Sequence, residues 1–219
     1  ERVYVDERVA DQFIEKVLEI ARDIRPGAPG EGKYGPTTMP KQLPIIQSHI
    51  DDAIARGAKV LMGGSDSVKA PFVEPVIFAD VPEDSIAMTD ETFGPTIAIN
   101  RVKDIAEAIR LTNASRYGLG ASVWSKKSGK KIASQLHTGM VAINSVISFA
   151  AVDSVPFGGV KDSGYGRIHG AEGILEFTYP RTVVRARFQL PIAFTSFSRT
   201  TGNDKLIVAL TKFLKGRLS

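Results

Sequence analysis

Apolar and polar positions along the chain change period several times, and each period predicts a different element. Arg2-Val3-Tyr4-Val5 reads as a short strand. From Asp6 the period lengthens. Val9, Phe13, Val17, Ile20 and Ile24 recur at helical spacing, so a helix capped by Asp6 is predicted to residue 24. Pro26, Gly27, Pro29, Gly30 and Gly32 then make a loop. Leu43, Ile46, Ile50 and Ile54 form the stripe of a second helix over residues 40–56, and residues 59–62 read as a strand closed by Gly63-Gly64.

The second half alternates more cleanly. Strands are predicted at 96–102, 120–124 and 140–144, with helices at 104–112 and 128–136 between them. Strands separated by short helices predict βαβ units around a parallel sheet, so the fold class is α/β. Ligands of such sheets sit at strand carboxyl ends, which directs attention to the loops after Val5, Trp124 and Ile143. After Arg167 the alternation stops. A helical segment at 171–177 leads to residues 182–188, which have strand propensity but no obvious partner among the preceding elements. Residues 204–218 are amphipathic and basic. The expected organisation is an α/β portion at 1–168, a connecting helix and unpartnered strand at 169–188, and a basic tail at 189–219.

Composition narrows the function classes. The 219 residues are 43% hydrophobic and 24% charged, as in an ordinary globular protein. No apolar run approaches the roughly 20 residues of a membrane-spanning helix. There is no cysteine, which excludes disulfides, thiolate metal sites and a cysteine nucleophile within these residues. From Arg181 onward eight basic residues face the single acid Asp204, while residues 1–180 are net negative. A basic tail on a slightly acidic body is not a general nucleic-acid surface, so no nucleic-acid partner is expected.

Two blocks stand out. In Glu91-Thr92-Phe93-Gly94-Pro95, a carboxylate on a turn can accept two hydroxyl hydrogen bonds, which suits a vicinal diol, and an aromatic two residues on can face a flat heterocycle. The competing reading is a helix-capping Glu91 and a core Phe93. The second block is Pro156-Phe157-Gly158-Gly159-Val160-Lys161-Asp162-Ser163-Gly164-Tyr165-Gly166-Arg167. Its glycines mark positive φ or close approach. It has neither dinucleotide-fingerprint nor Walker spacing, so a structural loop closing over a pocket fits better than a phosphate cradle. His49, His137 and His169 lack metal-ligand spacing, and no metal is expected. Asp51-Asp52 reads as a solvated helix face, and Trp124 as a core residue within its strand.

These blocks resemble those of aldehyde dehydrogenases, which carry a Glu-x-Phe-Gly-Pro turn followed by Pro-Phe-Gly-Gly-x-Lys-x-Ser-Gly-x-Gly-Arg. Asn113-Ala114-Ser115-Arg116-Tyr117-Gly118-Leu119-Gly120-Ala121 and Thr138-Gly139-Met140-Val141-Ala142-Ile143-Asn144 are similar to family stretches in the same order, and the likeness covers residues 1–188. The resemblance implies that Glu91 binds the nicotinamide-ribose hydroxyls of NAD or NADP, with Phe93 and Leu119 beside the ring. It implies that Phe157 walls the substrate channel and that residues 145–155, with Phe149 and Val152, face the substrate. The family's nucleophilic cysteine, general-base glutamate, oxyanion-hole asparagine and dinucleotide domain would all lie upstream of Glu1. The implied chemistry is oxidation of an aldehyde through a cysteine thioester, with no catalytic residue in these 219 residues. This chain alone is therefore expected to be inactive. A non-catalytic interaction module on the same scaffold is the rival expectation, and an unrelated α/β phosphate-binding protein the third. A dimeric or tetrameric homo-oligomer is expected, in the cytoplasm, with peripheral membrane contact by the tail. Residues 145–155 hold no Lys or Arg, which points to an apolar aldehyde over a dicarboxylic semialdehyde.

Overall fold

The computed structural model describes residues 1–187, 197 and 200–216. The chain divides into two units, Glu1–Thr178 and Tyr179–Ser219. The first begins with β1 (Arg2–Asp6), α1 (Glu7–Ala21), α2 (Gln42–Ala55) and β2 (Lys59–Met62). A two-stranded ribbon of β3 (Val68–Lys69) and β4 (Phe72–Val73) precedes β5 (Val76–Ala79), α3 (Ile86–Thr89), β6 (Thr96–Val102) and α4 (Ile105–Ala114). Then come β7 (Tyr117–Gly118), β8 (Gly120–Val123), α5 (Gly129–Ala133), β9 (Met140–Ile143), β10 (Val160–Lys161) and α6 (Gly170–Leu175). In the second unit the described element is α7 (Thr201–Lys215), which Thr200 caps.

The main sheet has the order β1-β6-β5-β2. β6 runs parallel to both β1 and β5, and β2 closes one edge antiparallel with an irregularity between Val60 and Met62. β8 and β9 form a separate parallel pair, registered Gly120 to Met140 and Val123 to Ile143. The parallel-sheet α/β expectation therefore holds, with the parallel strands divided between two sheets.

Side chains of a strand point alternately to opposite faces, and the main sheet uses both. Val76 and Phe78 of β5 and Ala98 of β6 pack with Ile46, Ile50 and Ala53 of α2. Ile77 and Ala79 of β5 and Ile99 of β6 pack with Ala10, Ile14 and Ala21 of α1. A sheet covered by helices on both sides has strands that are apolar throughout. β5 is buried at all four positions, and its apolar run shows no alternation. The sequence pattern accordingly missed it.

Other expectations need correction. On α1 the buried stripe is Ala10, Ile14 and Ala21, not Val9, Phe13 and Ile20, which are exposed. The two stripes differ by one position, about 100° around the helix. Two alanines let the helix approach the sheet closely, and the pattern of large side chains could not show that. Trp124 lies beyond the end of β8 and is 66% exposed, so it is not a core residue. Asp52 is not merely solvated: its Oδ2 accepts from Ser85 Oγ (2.7 Å) and from Ile86 N (2.9 Å), capping α3. The helices predicted at 128–136 and 171–177 are shorter, as α5 and α6. Residues 182–187 are exposed and form no strand among the described residues, and Phe188 lies outside these. The amphipathic tail is present as α7, while Arg217 and Leu218 also lie outside them.

The burial pattern on α1 makes a direct test. Ile14→Ala should cost about 2–5 kcal/mol, as removal of a core side chain does. Ile20→Ala on the exposed stripe should stay within about 0.5 kcal/mol. Urea unfolding of the two variants checks this, and equal costs would refute the assignment of faces.

Candidate functional site

The Glu91 turn lies between α3 and β6, and its shape is set from beneath by α2. Thr92 is buried. Its carbonyl accepts from Gln42 Nε2 at 2.7 Å, and its Oγ1 lies 2.9 Å from His49 Nδ1. Gly94 rests directly on Ile46, whose Cδ1 would be 2.7 Å from any Cβ placed there. Gln42, Ile46 and His49 occupy one face of α2, so a single helix face grips the turn three times.

With Thr92 held inward, its two neighbours project outward. Phe93 adopts a left-handed φ of 46° and is 70% exposed. Glu91 is exposed as well, and no described residue hydrogen-bonds its carboxylate. This rules out the capping-and-core reading. Phe93 is not core, and α3 is capped by Ser85 and Asp52 rather than by Glu91. An outward carboxylate two residues from an outward ring suits a diol attached to a flat heterocycle.

The glycine-rich block forms a closed structural loop. β10 pairs antiparallel with β7, Lys161 Nζ donates to the carbonyls of Asn113 and Ser115 at 2.9 Å each, and Gly118 N donates to Ser163 Oγ at 3.0 Å. Arg167 Nη1 donates to the carbonyls of Gly159 (2.8 Å) and Gly166 (2.6 Å). A Cβ on Gly139 would run into the Gly158 carbonyl oxygen, while Gly164 and Gly166 hold positive φ of 98° and 88°. Asp162 N and Gly164 N donate to carbonyls of the chain itself. Those amides are committed within the chain, as in a structural loop.

Beside this loop sits an apolar group. Phe149, on the turn Ser148–Ala151, lies against Gly120, where a Cβ would approach its ring to 2.6 Å. Phe149 and Phe157 have ring centroids 6.2 Å apart, and Phe157 and His169 6.0 Å. Leu119 and Val152 are 44% and 41% exposed, available to a ligand. The sequence reading set His169 aside as an isolated histidine. Its place eleven and twelve residues past Gly158 and Phe157 gave no signal, because an antiparallel bridge between Phe157 and Ile168 brings it back.

Arg116 links the two regions. Its Nε donates to Asp162 at 2.7 Å and its Nη1 lies 3.4 Å from Asp90, next to Glu91. The strand-end rule located only part of the site. Residues 145–155 do follow β9, but the Glu91 turn and Leu119 precede β6 and β8, at strand amino ends. The loop after Val5 holds Asp6, which caps α1 through Arg8 N and pairs with the Arg8 guanidinium. Asn144, after β9, clamps the loop after β8 through Ser125.

Comparison with known proteins identifies the family. Residues 1–183 match the aldehyde dehydrogenase family. The chain is 40% identical over 193 residues to the 4,4'-diapolycopene aldehyde oxidase of a Methylomonas species, across 87% of this chain and 36% of that protein. It is 39% identical over 194 residues to a protein named as a succinate-semialdehyde dehydrogenase (NADP(+)) of Mycobacterium ulcerans, across 85% of this chain and 38% of that one. The crystal structure of an NADP-dependent glyceraldehyde-3-phosphate dehydrogenase from Bacillus halodurans, complexed with NADP, superimposes with a TM-score of 0.76 at 35% identity, over 83% of this chain and 38% of that one. The chain thus spans a little over a third of the length of these relatives.

The buried histidine predicts a pH dependence. Burial holds the His49 imidazole below its ordinary pKa of 6.5, against the opposing pull of Asp90 and Asp52. A base with a depressed folded pKa adds stability above its unfolded pKa and loses it as pH falls through the folded value. Stability should therefore decline below pH 6.5 through this group. Urea unfolding at a series of pH values should show a shallower decline in His49→Gln, and identical slopes would refute it.

Proposed function

We propose, from the premise that this chain belongs to the aldehyde dehydrogenase family, that it serves an NAD(P)-dependent aldehyde dehydrogenase by presenting the nicotinamide end of the cofactor and one wall of the substrate channel. The observation that carries this is the turn held through buried Thr92 with Glu91 and Phe93 turned outward. When bound, the nicotinamide accepts hydride from the aldehyde carbon. Glu91 would receive the ribose hydroxyls, and Phe93 and Leu119 would flank the ring. Phe149, Val152 and Phe157 would line the aldehyde's path and exclude water. With no cysteine in the sequence, this chain supplies placement rather than the nucleophile.

The relatives' names point to two substrates, a 4,4'-diapolycopene aldehyde and succinate semialdehyde. Phe149, Val152 and Phe157 favour the apolar kind. The only charge within residues 145–155 is Asp153, which would repel a second carboxylate.

Two features outside the site extend the reading. Residues 182–187, exposed and in no strand pairing among the described residues, are the segment we assign to the sheet edge of a second copy in a homo-oligomer. No described helix is long and apolar enough to cross a membrane. α7 carries Leu206, Leu210 and Leu214 on one face, with Lys205, Lys212 and Lys215 away from it. This supports contact with an anionic membrane surface by an otherwise cytoplasmic enzyme.

In the full-length protein, Glu91→Gln should raise the cofactor KM about 10-fold, because it turns charge-assisted hydrogen bonds into neutral ones. Steady-state kinetics with NAD+ and NADP+ measures this. Unchanged values would remove Glu91 from the ribose site.

The same preparation tests substrate and setting. Hexanal and benzaldehyde should be oxidised with higher kcat/KM than succinic semialdehyde, sedimentation should show an oligomer, and the protein should float with anionic liposomes at low salt. Preference for the semialdehyde, a monomer, or absence of flotation would each overturn the matching assignment.

A further inference from the structure

We infer that Gln42 and His49 of α2 are positioning residues for the cofactor, acting through Thr92 on the Glu91 turn; this rests on the proposed role of that turn. Both side chains are buried, Gln42 at 9% and His49 at 7% exposure, on the helix face that holds fully buried Ile46 and Ile50. A helix whose task was only to cover the sheet would be apolar there, since an unpaired buried amide or imidazole is costly. Neither is unpaired. Separated by two helical turns, they converge on one residue from different sides, Gln42 on the Thr92 carbonyl and His49 on the Thr92 hydroxyl. Met88 and Val81 add apolar side chains to the same cluster.

The consequence falls on Phe93. A non-glycine residue at a φ of 46° is strained and persists only when its surroundings over-determine it. The surroundings here are Thr92, fixed at two polar atoms on one side, and Gly94, pressed on Ile46 on the other. With either Thr92 bond removed, Phe93 can relax to an ordinary backbone conformation, which moves its ring and the neighbouring Glu91 carboxylate together. The strain is spent on aiming two exposed groups, and α2 supplies the force that maintains it. Gln42 and His49 are buried beneath the turn and bonded to Thr92, so their effect would reach the reaction through placement.

The test compares cofactor and aldehyde kinetics in the full-length protein. Thr92→Val keeps the shape but removes the hydroxyl, and it should raise the KM for NAD(P)+ about 5- to 10-fold. The aldehyde KM should move less than about twofold, within the weak-contact range. Thr92→Ser should restore the cofactor KM. Gln42→Leu removes the other bond and should act in the same direction, which keeps the inference open to refutation should one variant fold poorly. The double variant His49→Phe/Thr92→Val replaces both partners with apolar groups, so it should regain the melting temperature lost by the single changes. Its cofactor KM should stay raised. A cofactor KM that recovers together with the melting temperature would show a purely structural role and overturn the inference. So would an unchanged cofactor KM in Thr92→Val when Glu91→Gln raises it. A silent Glu91→Gln with a raised KM in Thr92→Val would instead refute the ribose assignment and leave the positioning of Phe93 standing.

Discussion

Everything in the first unit depends on the burial of β5 from both sides. Val76 and Phe78 face α2, Ile77 and Ala79 face α1, and each of the four is at most 2% exposed. The strand has no solvent face, so helices must cover both faces of the sheet, and the order β1-β6-β5-β2 places it next to β6 to receive them. Once α2 is seated on Phe78 by Ile46 and Ile50, the rotation of that helix is fixed. The same rotation presents Gln42 and His49 to the turn that leads into β6. The core thus orients the chemistry: three consecutive residues at the turn are placed by the packing of one helix.

Legibility in the sequence followed the solvent. β6 was readable from end to end, and Asp6 was readable as a cap, because these features lie where polar and apolar positions meet. β5 was not, since burial on both faces erases the period that marks a strand. The rotation of α1 failed for the opposite reason. Its large side chains Val9, Phe13 and Ile20 outweigh two alanines in any pattern, yet the alanines meet the sheet. Of the candidate site, the Glu91 turn and the glycine block were visible as motifs. The grip of Gln42 and His49 was invisible, because two polar residues in a helical stripe look like its solvent edge until the turn, more than forty residues on, folds over them.

The ion pairs around the site have a different character. Arg116 joins Asp162 and Asp90 with all three side chains substantially exposed. Exposed pairs contribute at most about 1 kcal/mol and weaken with salt. Their value here is directional: they tether the glycine block to the start of the Glu91 turn without fixing either one. The glycine block owes its own shape to close backbone approach at Gly139 and Gly158 and to the Arg167 hydrogen bonds, which do not depend on that tether.

This difference in anchoring separates two jobs. Hydride transfer needs a ring placed to within a fraction of an ångström, whatever the aldehyde, because misplacement costs rate steeply. In the proposed function the turn carrying Glu91 and Phe93 would meet that need, held by buried hydrogen bonds and a glycine pressed on an isoleucine. Substrate selection needs a surface that can differ between relatives while the chemistry stays constant. In the same proposal Phe149 and Val152 would meet that need. They stand on an exposed turn supported by ring contacts with Phe157 and by the open side of Gly120, with no buried polar bond to satisfy. A side chain there can change size without leaving an orphaned donor or acceptor, whereas a change at Thr92 cannot. Relatives that share most of this chain at about the same identity yet bear the names of quite different aldehydes are what such a division of labour produces.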